Sequence, residues 1–301
     1  LSWFFAILIN EERDKTMANL KVFYSPNQTV RDNKSYSPSA GKPEHVVNQF
    51  MRTGRVDVRS GWMPLTQDDI CLAHESSFVD DILNLRQPNG FGNKLASVAS
   101  SLPYTAGSFF RAAEYALENK TAAMSPTSGF HHSGYNSCHG FCTFNGLMIA
   151  AMLLWQNHGV NKIGIIDFDA HYGDGTEDII KSIDGARDVI EHLTFGAFAR
   201  IGMNFDRWLD RLEADLIEKF HGCDILFYQA GADPHIDDPL GGYLTTEQMK
   251  RRDDIVFKVA KRLNKPIVWN LAGGYQHPLQ NVLDIHNNTL QACLEHYIDA
   301  T

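Results

Sequence analysis

Three apolar runs in this chain each stop abruptly at a polar, glycine-rich turn: KIGIIDF at 162–168, DILFYQ at 224–229 and PIVWNL at 266–271. Runs of this length, rich in β-branched and aromatic residues, suit strands buried on both faces and are too short for a covered helix. A further strand is expected at 21–24 (KVFY) and another at 188–193. Between these runs, helical periodicity covers about 67–85, 104–119, 141–158, 205–219 and 246–263. This alternation predicts an α/β fold with three layers, a mostly parallel central sheet carrying helices on both faces. Residues 25–43 (SPNQTVRDNKSYSPSAGKP) predict a long surface loop. No repeat or linker divides residues 17–301, so they are expected to form one domain.

The strand ends carry the chemistry. In open α/β sheets, ligands bind beyond the carboxyl ends of the strands. The first run ends in Asp167-Phe-Asp169-Ala-His171, the second in QAGADPH with Asp233, and the third in LAGGYQ with Tyr275. A single strand-terminal Asp is usually a helix cap, but three such ends on neighbouring strands predict one shared rim. If strand geometry persists past Asp167, the side chains of Asp169 and His171 point the same way. With Asp233 they form a His-plus-two-carboxylate set suited to a divalent metal with an open position. Zn²⁺ comes first, and Fe²⁺, Co²⁺ and Mn²⁺ are chemically compatible. The cysteine pair in CHGFC at 138–142 has no second pair to complete a metal site.

A second polar cluster, SGFHHSGYNSCHGFCTFNG at 128–146, brings His131 and His132 side by side in a Gly/Ser-rich loop. A water attacking an amide beside a metal needs a base and then an acid for the leaving amine. Imidazoles in that role need carboxylates behind them. Asp167 and Asp174 are the acids left over for it.

At these residues the chain resembles the histone deacetylase superfamily, whose sheet is shared with arginase. Four ordered blocks carry the resemblance: SGFHHSGYNSCHGFCTFN, DFDAHYGDGTED, QAGADPHIDDPLGGYLTT and the Gly-Gly-Tyr turn of LAGGYQ. The resemblance implies a deacetylase-like catalytic domain over 17–301, with Asp169, His171 and Asp233 as ligands of one Zn²⁺. It implies two His-Asp pairs, His131 with Asp167 and His132 with Asp174, the second His acting as general base and acid. Tyr275 would donate its hydroxyl to the scissile carbonyl. Gly140 and Phe141 would line an acyl-amine tunnel, with Gly273 and Gly274 in the turn beneath. The implied reaction is hydrolysis of an acetylated primary amine, either acetyl-lysine or an acetylated polyamine.

Several departures from the family pattern narrow these expectations. The segment HLTFGAFARIGMNFDRW is abbreviated, which makes Phe195 or Phe198 the expected opposing aromatic at a more open mouth. No acidic residue lies between Asp81 and Glu114, so a rim Asp that clamps a peptide backbone is missing or comes from elsewhere in the chain. A structural K⁺ belongs to the implied set of cofactors, but its serine hydroxyl after the next strand is not evident in DVIEHLTF. Two rival readings differ in class: an arginase-like dinuclear manganese hydrolase, and a non-catalytic acyl-amine binding module.

Charge and cysteine content bound the rest. A net charge of −9 argues against a broad basic surface for nucleic acid. Five scattered cysteines fit a reducing compartment, which predicts a cytoplasmic protein. The opening LSWFFAILIN is too short to span a bilayer and lacks a cleavage site. Residues 1–16 are therefore read as an extension outside the fold, the alternative being a membrane-surface anchor.

Overall fold

The computed structural model describes residues 19–299; the expected extension at 1–16 lies outside them. Seven strands form one sheet: β1 (Leu20–Phe23), β2 (Val56–Arg59), β3 (Ala122–Met124), β4 (Ile163–Asp167), β5 (Ile190–Thr194), β6 (Ile225–Gln229) and β7 (Ile267–Asn270). Their order is β2-β1-β3-β7-β6-β4-β5, and every pairing is parallel. The three strands with polar ends, β7, β6 and β4, are neighbours at its centre, so their C-terminal turns share one rim.

Among the described residues, ten α-helices cover the sheet: α1 (Lys42–Met51), α2 (Gln67–Cys71), α3 (Ser76–Leu83), α4 (Ala96–Asn119), α5 (Gly146–Asn157), α6 (Asp174–Ser182), α7 (Ala186–Val189), α8 (Phe205–Phe220), α9 (Thr246–Arg262) and α10 (Gln280–Tyr297). Alternate strand residues divide between two apolar cores, as the two-residue period of a strand requires. Leu226, Tyr228, Ile267 and Trp269 meet α1, α8, α9 and α10. Ile163, Ile165, Ile225, Phe227 and Val268 meet α2 through α7. Both faces of the central strands are therefore dry, which is why they read as continuous apolar runs.

Three expectations are corrected. The helix expected at 67–85 is broken into α2 and α3 around the buried His74, which bonds across to Gly134 O at 2.8 Å. The helix expected at 141–158 begins only at Gly146, capped by the Asn145 side chain on Met148 N–H. Residues 25–43 are not a loose surface loop. Gln28, Asn33, Ser37, Ser39 and Lys42 are all buried, and Ser25 and Gln28 form a reciprocal cap. Among the described residues, no helix is long and apolar enough to cross a membrane.

Arg252 of α9 fixes the rim. Fully buried, it donates from Nη1 to Phe168 O at 3.1 Å and to Gly231 O at 3.0 Å, and from Nε to Asp253 Oδ1 at 2.8 Å. One side chain thus ties the turn after β4 to the turn after β6. Replacing Arg252 by Met would leave the buried Asp253 carboxylate without its counter-charge. Urea unfolding is expected to show a loss of about 3–5 kcal/mol; an unchanged midpoint would remove Arg252 from this role.

Candidate metal centre and its His-Asp pairs

Asp169 and His171 do converge, but not because strand geometry continues. β4 ends at Asp167, and the chain then turns through successive side-chain-to-backbone bonds. Asp169 N–H donates to Asp167 Oδ1 at 3.2 Å, and His171 N–H to Asp169 Oδ1 at 3.0 Å. His171 Nδ1 then lies 3.0 Å from Asp169 Oδ1 and 3.2 Å from Asp233 Oδ2. Asp233 arrives from the turn after β6, its other oxygen accepting Ala170 N–H at 3.1 Å.

This cluster passes the tests for a cation site. The ligand atoms of Asp169, His171 and Asp233 lie within 4.8 Å of one another. Both carboxylates are buried, and Asp233 Oδ2 has no hydrogen-bond donor in acceptable geometry. Gly273 is required here, since a Cβ on it would sit 2.1 Å from Asp233 Oδ2. Burial and the neighbouring Asp169 push the Asp233 carboxyl up to about 7. The carboxylates of Asp169 and Asp233 beside it hold the His171 imidazolium up to about 11. Two carboxylates facing one another out of water call for positive charge, and a dication supplies it with a neutral His as third ligand.

The two adjacent histidines differ in charge. His131 is 2% exposed, with Nδ1 at 2.7 Å from Asp167 Oδ2. Burial opposes its imidazolium, but Asp167, Asp169 and Asp233 outweigh this and lift it to about 9. Asp167 is itself gripped by Gln229 Nε2 at 2.9 Å. His132 bonds Asp174 at 2.5 Å, yet burial and the charge on His131 hold it down at about 4. His132 is thus a neutral imidazole beside a cationic one, their ring centroids 4.1 Å apart. That is the state a proton acceptor needs.

The loop bearing them is locked from below. His74 accepts Asn145 N–H at 2.9 Å, and Asn145 Nδ2 donates to Ser133 O and Thr176 Oγ1. Gly140 (φ +56°) packs so closely on the His132 ring that a Cβ would sit 2.5 Å from His132 Cδ2. Phe141 is also left-handed, at φ 65°, a conformation costing a non-glycine residue on the order of 1–3 kcal/mol. Its ring stands 5.8 Å from that of Tyr275. Tyr275 is nearly buried, and burial pushes its hydroxyl up, so it remains a donor.

The turn carrying Gly273, Gly274 and Tyr275 is held on three sides. Gly273 N–H donates to Asp169 Oδ2 at 2.9 Å, Tyr275 N–H to Asp238 Oδ2 at 2.7 Å, and Lys42 Nζ to Ala272 O at 2.8 Å. Gly274 takes φ 148°. The three expected ligands and both His-Asp pairs therefore lie together, and the turn bearing Tyr275 is bonded to that cluster through Gly273 N–H. Phe195 is fully buried and does not line a mouth; Phe198 rests on Phe195 and Trp208.

Sequence reasoning missed Lys42, Asp238, Tyr36, Phe91 and His139. Tyr36 and Phe91 flank Phe141 at ring distances of 5.3 and 5.9 Å. His139 Nε2 bonds the second oxygen of Asp174 at 2.8 Å. His132, His139 and Asp174 also lie close enough for a metal, as do the surface residues Glu114, Glu118 and His158. In the first group, however, both Asp174 oxygens are engaged by the two imidazoles.

Comparison with known proteins matches the family model described as the histone deacetylase domain over residues 40–189 and 202–292. The chain is 26% identical over 192 residues to histone deacetylase 2 of Arabidopsis thaliana, covering 58% of this chain and 50% of that one. It is 26% identical over 155 residues to the polyamine deacetylase HDAC10 of Danio rerio, covering 45% and 23% of the two chains. It therefore spans half or less of these curated relatives. Acetylpolyamine aminohydrolase from Burkholderia pseudomallei superposes with a TM-score of 0.70 at 18% identity, over 92% of this chain and 99% of that one. This last likeness concerns the fold.

Metal binding to this cluster is expected to stabilise the protein. Zn²⁺ at about a thousandfold excess over its Kd adds about 4 kcal/mol, read as a rise in the thermal midpoint. Asp233→Asn should abolish the rise while leaving the metal-free protein no less stable, because one of two facing carboxylates has gone. A zinc shift that survives Asp233→Asn would place the ion elsewhere.

Proposed function

The chain belongs to the histone deacetylase domain family, and we propose that it is a Zn²⁺-dependent amidohydrolase removing acetyl groups from primary amines. The observation that carries this reading is the convergence of three parts. A three-ligand cation cluster, a neutral histidine backed by Asp174, and the turn bearing the buried Tyr275, tied to Asp169 through Gly273 N–H, share one sheet rim. Asp169, His171 and Asp233 would hold the ion, with Fe²⁺ or Co²⁺ fitting the same donors. When bound, it would supply Lewis-acid polarisation of the acyl carbonyl and acidify the attacking water.

The chain's own residues do the rest. His132 takes the proton of the water as it attacks the amide carbon; Asp174 holds its Nδ1 and sets the tautomer that leaves Nε2 free. The Tyr275 hydroxyl donates to the carbonyl oxygen as negative charge gathers there. His132 then returns the proton to the nitrogen as the C–N bond breaks, releasing amine and acetate. His131 stands beside His132, its Nδ1 held by Asp167. Phe141, with Tyr36 and Phe91 beside it, offers apolar surface to the stem of an acyl-amine. The polyamine and histone deacetylases among the relatives support acetylated polyamines and acetyl-lysine as substrates. Five free cysteines support work in a reducing, cytoplasmic setting.

The test is acetate release from acetyl-lysine peptides and acetylated polyamines by the zinc-loaded protein. Tyr275→Phe is expected to lower kcat about 10²- to 10³-fold with metal content unchanged. Full activity in that variant would remove Tyr275 from the mechanism. Binding of acetyl-lysine without acetate release would favour a binding module.

A further inference from the structure

The strand after the Asp-x-Asp turn is where the family resemblance implies a serine hydroxyl for a structural potassium ion. That strand is β5, Ile-Glu-His-Leu-Thr, and it brings no serine. The Thr194 hydroxyl accepts Gly173 N–H at 3.1 Å. The side chain that faces the Asp167 carboxylate is His192, only 2% exposed.

Its surroundings decide its charge. His192 Nδ1 lies 2.8 Å from Glu177 Oε1 of α6, and Nε2 lies 3.9 Å from Asp167 Oδ2 of β4 with no hydrogen-bond partner. Gly173 permits this approach, since a Cβ there would sit 2.7 Å from Asp167 Oδ2 and 3.2 Å from His192 Cε1. A neutral imidazole donating to Glu177 would turn the bare Nε2 lone pair towards a second carboxylate, out of water. An imidazolium donates to Glu177 and presents N–H to Asp167, setting one positive charge between two negative ones. Burial opposes that charge, but Asp167 and Glu177 together hold the His192 pKa above its ordinary value. Lys181 and Arg187 act on Glu177 from outside.

We propose that His192 is held as an imidazolium between Glu177 and Asp167 and supplies from the chain itself the positive charge that a monovalent cation would bring. The residues here do not fit potassium, because an ion on this side of Asp167 would meet the imidazolium. His192 is a positioning residue: it keeps Asp167 ionised and aimed at His131. Its bearing on catalysis rests on the deacetylase reading above, whereas its charge state does not.

Long-range ¹H–¹⁵N spectra of the full chain, metal-free and zinc-loaded, test the charge directly. Both ring nitrogens of His192, assigned by their loss in His192→Gln, should carry protons at neutral pH. A bare Nε2 overturns the proposal. Acetate release is then compared in potassium chloride and tetramethylammonium chloride at equal ionic strength. Wild-type kcat should be the same in both, and a saturable rise with potassium overturns the proposal. His192→Ser, checked for folding by circular dichroism, should lose about 10- to 100-fold in kcat in the tetramethylammonium salt with little change in KM. Potassium should restore part of that loss. A folded variant matching wild type in both salts overturns the positioning role; if it does not fold, the spectra and the wild-type salt comparison decide. No acetate release in any salt would defeat the deacetylase reading while the spectra still decide the charge.

Discussion

Two carboxylates out of water, Asp169 and Asp233, set the terms for this structure. Desolvating either ion costs several kcal/mol unless opposite charge is close. Two cations buried in the protein answer that need and also brace the backbone. Arg252 from α9 bonds the carbonyls of Phe168 and Gly231, and Lys42 from α1 bonds those of Ala272 and Gly273. The turns after β4, β6 and β7 are thus stapled by two buried cations, Lys42 in the field of the cluster and Arg252 paired with Asp253. Burial pulls the Lys42 ammonium down to about 8, against the pull of Asp233, Asp169 and Asp238. Both cations are fully buried, whereas the His171 side chain is about a third exposed.

The same field separates the two histidines. His131 sees three carboxylates and keeps its proton, whereas His132 has Asp174 on one side and the cationic His131 on the other. Adjacent residues of one type, both opposed by burial, are therefore driven in opposite directions by their charged neighbours.

The central strands and the polar rim were legible in the sequence because β4, β6 and β7 are buried on both faces and end sharply. Other elements were not. β3 is only Ala-Ala-Met, and β2 is a half-exposed edge, Val-Asp-Val-Arg, so neither makes an apolar run. α10 intersperses His286, Asn287, Asn288 and Thr289 among its apolar positions, which blurs its period. α1 opens on Lys-Pro after a polar stretch, and a fully buried lysine runs against the habit of that residue. In the site, the grouping of Asp169, His171 and Asp233 and the contacts of His131 with Asp167 and His132 with Asp174 were legible through motif order. His139 and His192 were not, because their partners Asp174, Glu177 and Asp167 are distant in sequence. The backbone turns that aim Asp169 and His171 were also hidden, since strand alternation gives the same facing for a different reason.

Diffraction from crystals grown with Zn²⁺, recorded on both sides of the zinc absorption edge, tests the central claim most directly. The account predicts one strong anomalous peak bonded to Asp169, His171 and Asp233, with His132 and Tyr275 facing it. Anomalous density confined to the surface group of Glu114, Glu118 and His158, or three intended ligands closed into ion pairs with no peak, would contradict it.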